Sequence, residues 1–178
     1  SFTAQGLSAN SSASGRFSFS GWPLGAQDGE NDASLLTGAL SPFSYYEFSV
    51  GLLPGYVLNL QELGFSMRRS STGPRNYSVR SNLDAFNDNL PASVGTSTSL
   101  SVLPVNVFFW NDHNVSTSSD QQGSAITPGT GHAAISGTVH FRIYAWNAEA
   151  SGGTFSIDNF RIKGETIDTA VHLSENPS

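Results

Sequence analysis

The stretch that decides the fold is ELGFSMRRSSTGPRNYSVRSNLDAF, which runs from Glu62 to Phe86. Apolar and polar residues alternate from Gly64 to Arg68 and again from Tyr77 to Ser81, and the residues between, Ser70 to Pro74, form turns readily. A period of two residues predicts β-strands with one apolar and one polar face. The stretch therefore predicts a strand, a loop and a second strand.

Composition indicates one all-β domain. Of the 178 residues only 12% are charged and 38% are hydrophobic, and there are 12 Phe but 1 Met. A chain of this length buries roughly 70% of the surface that its unfolded form exposes, so it can fold around one core without disulfides. Cysteine is absent. We predict a single β-sandwich domain over residues 1–178, in which residues 165–178 form a C-terminal tail that pairs with a neighbouring subunit.

Further alternating runs, separated by Gly and Pro, recur at spacings of about ten residues. The predicted strands are Arg16–Ser20, Ser44–Val50, Val57–Leu60, Ser97–Val107 with a bend at Pro104, Gly137–Trp146 and Thr154–Lys163. The last two are predicted to pair as a long antiparallel hairpin. No helical period is sustained, although Leu83–Phe86 predicts a single helical turn. This pattern predicts an all-β, two-sheet antiparallel β-sandwich with jelly-roll topology.

The charge balance excludes some classes of partner. The net charge is −6, and Lys163 is the only lysine, so no basic stripe is available to neutralise nucleic-acid phosphates. No apolar run reaches the ~18 residues that a membrane span needs. The chain starts at Ser1 without a targeting segment, and we expect a mature chain from which that segment has been removed.

Four motifs stand out between Arg68 and Phe160: Arg68–Ser70 with Gly73-Pro74, Val79–Ser81 with Asp84 and Phe86, Phe141–Tyr144, and Gly153–Phe155 with Ile157–Phe160. Together they resemble a group of secreted bacterial jelly-roll β-sandwich domains. Such domains occur in exported and surface proteins, often with a carboxy-terminal sorting signal of the PEP-CTERM type. The resemblance covers Tyr45 to Gly164 and implies an extracellular or cell-surface location. More distantly, the pair Asp158-Asn159 is similar to one in the last strand of jelly-roll carbohydrate-binding modules.

The two ends of the chain suggest self-assembly. The resemblance implies an opening strand ahead of Gly6, and we expect that strand to be missing here. A sheet that lacks a strand can accept one from another copy of the chain. We therefore predict an extracellular structural or adhesive subunit that forms fibres or a surface layer by strand exchange. The predicted assembly residues are Phe2, Leu7, Thr166, Ile167, Val171 and Leu173.

A non-catalytic carbohydrate-binding module is the alternative. Exposed aromatic rings stack on sugar faces, and arginines bond sugar hydroxyls or the carboxylate of an acidic polysaccharide. We expect Trp110 and Trp146, each followed by Asn at a strand end, to be the most exposed rings. The candidate sugar-binding residues are Trp110, Trp146, Tyr144, Arg80 and Arg142. Each of these aromatic rings could equally well fill the core of the sandwich. The opening stretch holds four of the eight cationic residues: Arg68, Arg69, Arg75 and Arg80. They either clamp an anion or pair with acidic residues of the chain.

Metal binding is a further expectation, and catalysis is not expected. Asp28, Glu30 and Asp32 offer hard oxygen donors in one loop that suit a structural Ca²⁺, to which Asp158 adds a ligand if the last strand passes that loop. A simple Asx-rich turn explains the same residues. No acidic residues are spaced as a catalytic pair, and no Gly-x-Ser-x-Gly elbow is present.

Overall fold

The computed structural model, which describes residues 1–95, 99–111 and 123–169, confirms the all-β prediction. The strands of that part of the chain are β1 (Thr3–Gln5), β2 (Ser8–Ala9), β3 (Phe17–Ser20), β4 (Tyr45–Gly51), β5 (Tyr56–Arg69), β6 (Asn76–Ser81), β7 (Ala92–Val94), β8 (Leu100–Leu103), β9 (Val107–Trp110), β10 (Ser124–Ile126), β11 (Thr138–Trp146) and β12 (Phe155–Asp168). Short 3₁₀ turns cover Ala33–Leu35, Asn82–Asp84 and Thr130–His132, and the second of them confirms the predicted helical turn.

The strands form two antiparallel six-stranded sheets with jelly-roll topology. Sheet A has the order β1-β4-β11-β6-β9-β8, and sheet B has the order β2-β3-β12-β5-β10-β7. The inner strands have the orders β3-β12-β5-β10 and β4-β11-β6-β9, and along the chain they change sheet at every step except from β6 to β9, as in two interlocked Greek keys. The short strands β1, β2, β7 and β8 extend the four edges.

The two halves of the opening stretch lie in different sheets. β5 belongs to sheet B and β6 to sheet A, so the loop Ser70–Arg75 crosses the end of the sandwich. β5 is also continuous from Tyr56, which joins the predicted strand Val57–Leu60 to the one after it.

The predicted hairpin of the last two strands is wrong. β11 pairs with β4 and β6 in sheet A, whereas β12 pairs with β3 and β5 in sheet B. Alternation defines the faces of each strand but not its neighbour, and in the jelly-roll order of this sandwich β11 and β12 lie in opposite sheets. The expected absence of an opening strand is also wrong, because β1 precedes Gly6 and Thr3 pairs with Glu47 of β4.

Large aromatic side chains fill the space between the sheets. Phe65 and Met67 of β5 are fully buried there, while the alternate residues Ser66 and Arg68 are only half-buried on the outer face. Tyr77 of β6 stacks on Phe108 with ring centres 4.5 Å apart. Burying one such ring stabilises the fold by about 1.5–3 kcal/mol, so this layer dominates folding.

A buried ion cluster closes the end of the sandwich where β5 crosses to β6. The Arg69 guanidinium donates to the carbonyl oxygens of Ser71 and Gly73 and lies 2.7 Å from a Glu149 carboxylate oxygen. Arg75 lies 3.5 Å from the same oxygen and donates to the Trp110 carbonyl. Both arginine side chains are 0% exposed and that of Glu149 is 2% exposed. These contacts tie the β5–β6 loop to the β11–β12 loop and to the end of β9.

Candidate functional site

Among the residues that the structure describes, β12 has a partner strand on only one side over most of its length. β12 pairs with β3 only from Phe155 to Ile157, whereas its pairing with β5 on the other side continues to Asp168. Within residues 1–95, 99–111 and 123–169, no strand pairs with the other side of β12 from Asp158 to Ile167. Side chains from Arg161 to Asp168 are exposed. We call this segment, Asp158–Ile167, the β12 open edge; its backbone groups can pair with an added strand.

Two β-bulges shape the β12 open edge. Pairing with β5 shifts register between Asp158 and Arg161 and again between Lys163 and Gly164. A Cβ on Gly164 would lie 2.7 Å from the carbonyl oxygen of Asn59, so the close approach of the strands at the second bulge requires glycine. Bulges and a lysine on an edge strand both oppose indiscriminate pairing.

An apolar cavity lies beside the far end of the β12 open edge. Its volume is about 260 Å³, and its walls are Gly51, Leu52, Leu53, Tyr56 and Thr166. Leu53 is 75% exposed and Tyr56 is 43% exposed. Leu53 and Tyr56 therefore present apolar surface next to the β12 open edge.

The predicted assembly residues divide into three groups. The Phe2 ring lies 5.0 Å from the rings of Phe48 and Phe160, and Leu7 packs against the same core. Both therefore complete the chain's own sandwich.

Thr166 and Ile167 pair with Leu58 and Val57 of β5, so the predicted tail does not begin at residue 165. Val171 and Leu173, like the remainder of residues 170–178, lie outside the described residues.

Four of the five candidate sugar-binding residues lie on the outer face of sheet A. Arg142, Tyr144 and Trp146 alternate along β11, and Arg80 is paired with Arg142 across to β6. Trp110, by contrast, is 0% exposed and belongs to the core between the sheets. The expectation that Trp110 is exposed is wrong, because its strand β9 is covered by the opposite sheet. Trp146 is half-buried.

The outer face of sheet A carries a stacked set of side chains, which we call the arginine–aromatic ladder (Tyr45, Arg80, Phe86, Arg142 and Tyr144). The Arg142 guanidinium carbon lies 4.1 Å from the ring centre of Tyr45 and 3.9 Å from that of Phe86. Arg80 lies 5.7 Å from the ring centre of Tyr144, which is 2% exposed. These are cation–π contacts within the protein.

The polar groups of the ladder are largely engaged with one another. The Arg142 Nε donates to a Glu47 carboxylate oxygen at 2.7 Å, and the Arg80 Nε donates to Asn89 Oδ1 at 2.7 Å. Partial burial tends to lower the pKa of Arg142, but hydrogen bonds to Glu47 and Tyr144 outweigh it and raise the pKa. The ladder therefore stabilises sheet A and leaves few free donors for a ligand.

The predicted calcium ligands do not form a site. Asp32 caps the 3₁₀ turn Ala33–Leu35, where its carboxylate accepts the Ser34 backbone N–H at 2.8 Å, and this bonding lowers the pKa of Asp32. The Glu30 carboxylate accepts the Asp32 backbone N–H. Asp28, Glu30, Asp32 and Asp158 belong to no group of three or more acidic or histidine side chains close enough to hold a metal, and the described residues contain no such group. The Asx-rich turn is the better explanation.

Sequence reasoning missed the buried pairing of Arg69 and Arg75 with Glu149. The only signal was the high density of arginine near Gly73-Pro74. Glu149 is 80 residues from Arg69, and no local pattern links the two.

Comparisons with known proteins add no relatives. No protein-family model, curated protein or solved structure matches the chain. The described residues contain no helix with the length and apolar character needed to span a membrane.

Proposed function

We propose that this chain is an extracellular, non-catalytic structural or adhesive subunit that associates with other copies of itself through the β12 open edge. The observation that carries the proposal is the side of β12 from Asp158 to Ile167, on which no strand of the described residues pairs. An edge of this length presents a row of backbone donors and acceptors that a second strand satisfies. The extracellular setting is supported by the resemblance to secreted jelly-roll domains.

Charge complementarity supports a second copy as the partner. In an antiparallel pairing centred on Gly164, Lys163 of one copy lies opposite Glu165 of the other, and the pair occurs twice by symmetry. Opposite charges directly across two strands contribute about 0.2–1 kcal/mol per pair, and like charges there are destabilising. The apolar cavity beside Tyr56 and Thr166 supplies additional surface to bury.

A symmetric contact of this kind closes as a dimer. Fibres or a surface layer therefore need a second, different contact. The predicted donor segment that contains Val171 and Leu173 is the candidate for that contact, which keeps strand exchange as part of the proposal.

Charge exchange at the edge tests the proposal. Lys163→Glu and Glu165→Lys each place like charges opposite each other, and we expect each to weaken self-association measured by sedimentation velocity over a range of concentrations. The double variant restores opposite charges and is expected to restore association. Asp88→Lys, at an exposed residue outside the open edge, serves as the control.

Two results contradict this model. The first is a wild-type chain that stays monomeric at every concentration. The second is a double variant that associates no better than the two single variants.

A polysaccharide-binding module is the second candidate. The observation in its favour is that Arg80, Arg142, Tyr144 and Trp146 share one outer face. Mobility in gels that contain dissolved polysaccharide measures binding, and Trp146→Ala is the informative variant, because Trp110→Ala removes a core side chain and tests folding instead. Equal mobility with and without each polysaccharide in a broad panel contradicts this candidate.

A further inference from the structure

A polar cavity of about 170 Å³ opens on the outer face of sheet B. The loop from Asn10 to Arg16 lies on one side, and the ends of β5 and β12 lie on the other. The lining residues are Asn10, Ser12, Ala13, Arg16, Arg68, Arg69, Ser70, Thr154 and Ser156. We call this cavity the Arg68 pocket. It is separate from the β12 open edge and from the arginine–aromatic ladder.

Hydrogen bonds hold the hydroxyl groups of the Arg68 pocket in place. Ser156 lies between Arg68 of β5 and Ser18 of β3 in the sheet register. The Ser156 hydroxyl donates to Ser18 Oγ at 2.7 Å, and the Asn10 side-chain amide donates to the same oxygen at 3.1 Å. Ser156 is 6% exposed. The wall is therefore organised before any ligand arrives.

The charge lining the Arg68 pocket is positive. Three of the eight cationic residues of the chain line it, and none of its lining residues is Asp or Glu. Arg69 is engaged on the core side by Gly73 and Glu149. The cationic lining is opposite in sign to the net charge of the chain, which is −6.

The side chain of Arg68 contributes no polar contact to the fold among the residues that the structure describes. It is half-buried, and in the part of the chain that the structure describes its guanidinium forms no hydrogen bond or ion pair. A partly desolvated charge without a partner destabilises the folded chain, and a bound anion would offset that cost. Guanidinium presents five N–H donors in a planar fork that matches carboxylate, sulfate or phosphate oxygens.

We infer that the Arg68 pocket binds an oxyanion, in which the Arg68 guanidinium is the main charged ligand and the hydroxyls of Ser70 and Thr154 donate to the remaining oxygens. The volume is below the roughly 300–1,000 Å³ of pockets that enclose a drug-sized molecule. The pocket therefore accepts a free oxyanion, or the charged group of an acidic sugar, but not a whole oligosaccharide. This inference does not depend on self-association.

Titration calorimetry with three probes tests the inference. Sodium sulfate represents a free oxyanion, sodium galacturonate represents an acidic sugar, and galactose is the neutral control. We expect saturable binding of sulfate or galacturonate, and none of galactose. Arg68→Met is expected to weaken that binding by about tenfold or more, since it removes a charge-assisted hydrogen bond.

The matched control is Arg161→Met, which removes the same charge from a side chain that is 57% exposed and lies outside the pocket. Circular dichroism confirms that both variants fold. Sulfate binding alone identifies a free-anion site, and galacturonate binding identifies an acidic-sugar site. Absence of saturable binding to the wild type, or equal loss in Arg68→Met and Arg161→Met, overturns the inference.

Discussion

Arg68 and Arg69 are neighbours in sequence and have opposite roles. The Arg69 side chain points between the sheets, where it is 0% exposed and bonded to Ser71, Gly73 and Glu149. The Arg68 side chain points out of sheet B and lines a cavity without a carboxylate. Successive strand residues face opposite sides, so one residue along the chain separates a structural arginine from an available one. Residue type alone therefore does not identify a binding residue on a strand.

The largest expected effect comes from replacing the buried arginine. Arg69→Met removes one partner of the buried Glu149 carboxylate, whose second oxygen already lacks a hydrogen bond, and leaves the Gly73 carbonyl without its side-chain donor. Breaking a buried ion pair in this way costs about 3–5 kcal/mol, which we expect as a loss in the free energy of unfolding measured in urea. Arg68→Met should change that free energy by about 0.5 kcal/mol or less, as outward-facing substitutions usually do. Similar losses of unfolding free energy in Arg69→Met and Arg68→Met would contradict the structural role of Arg69 and the lack of one for Arg68.

An intermediate loss of stability is expected from replacing Arg142 of the ladder, whose side chain faces outward but stacks on two aromatic rings. Arg142→Met loses the contacts with Tyr45 and Phe86 and the hydrogen bond to Glu47. Since the side chain is 25% exposed, we expect a loss of about 1–2 kcal/mol in the free energy of unfolding. A double-mutant cycle with Glu47→Gln separates the ion pair from the stacking. A coupling energy equal to the whole loss would show that stacking contributes nothing.

The smallest effect concerns His132, which is buried without a permanent charge. Its Nε2 lies 3.0 Å from Ser81 Oγ, and burial lowers its pKa below the ordinary 6.5, although Asp84 opposes the shift. The unfolded chain therefore binds a proton at a higher pH than the folded chain. The stability from this group is fully present above pH 6.5 and is lost as the pH falls through the folded pKa.

His132→Gln should reduce the loss of stability between about pH 7.5 and about pH 5 relative to the wild type, as measured by urea unfolding at both values. An unchanged difference between the two pH values would show that His132 does not drive the dependence. A buried arginine such as Arg69 keeps its charge, whereas a buried histidine such as His132 loses its proton. The pH experiment therefore compares a buried group that stays charged with one that becomes neutral.

Most strands could be predicted from local alternation, but their partners could not. The runs at Arg16–Ser20, Ser44–Val50 and Gly137–Trp146 coincide closely with β3, β4 and β11. The pairing of β11 with β12 was predicted and is wrong, because a period of two residues carries no information about which sheet a strand joins. The same limit explains Trp110, whose position at a strand end says nothing about the sheet that covers it.

The sequence by itself determined that Glu62–Phe86 forms two strands and a turn, and that the chain is an all-β sandwich, because alternation and turn residues are local properties. Only the tertiary structure decided that β5 and β6 lie in different sheets, that Glu149 meets Arg69 and Arg75, and that β12 extends past β3. Each of these depends on contacts between residues far apart in the chain. The candidate sites, the β12 open edge and the Arg68 pocket, are therefore products of packing rather than of any local motif.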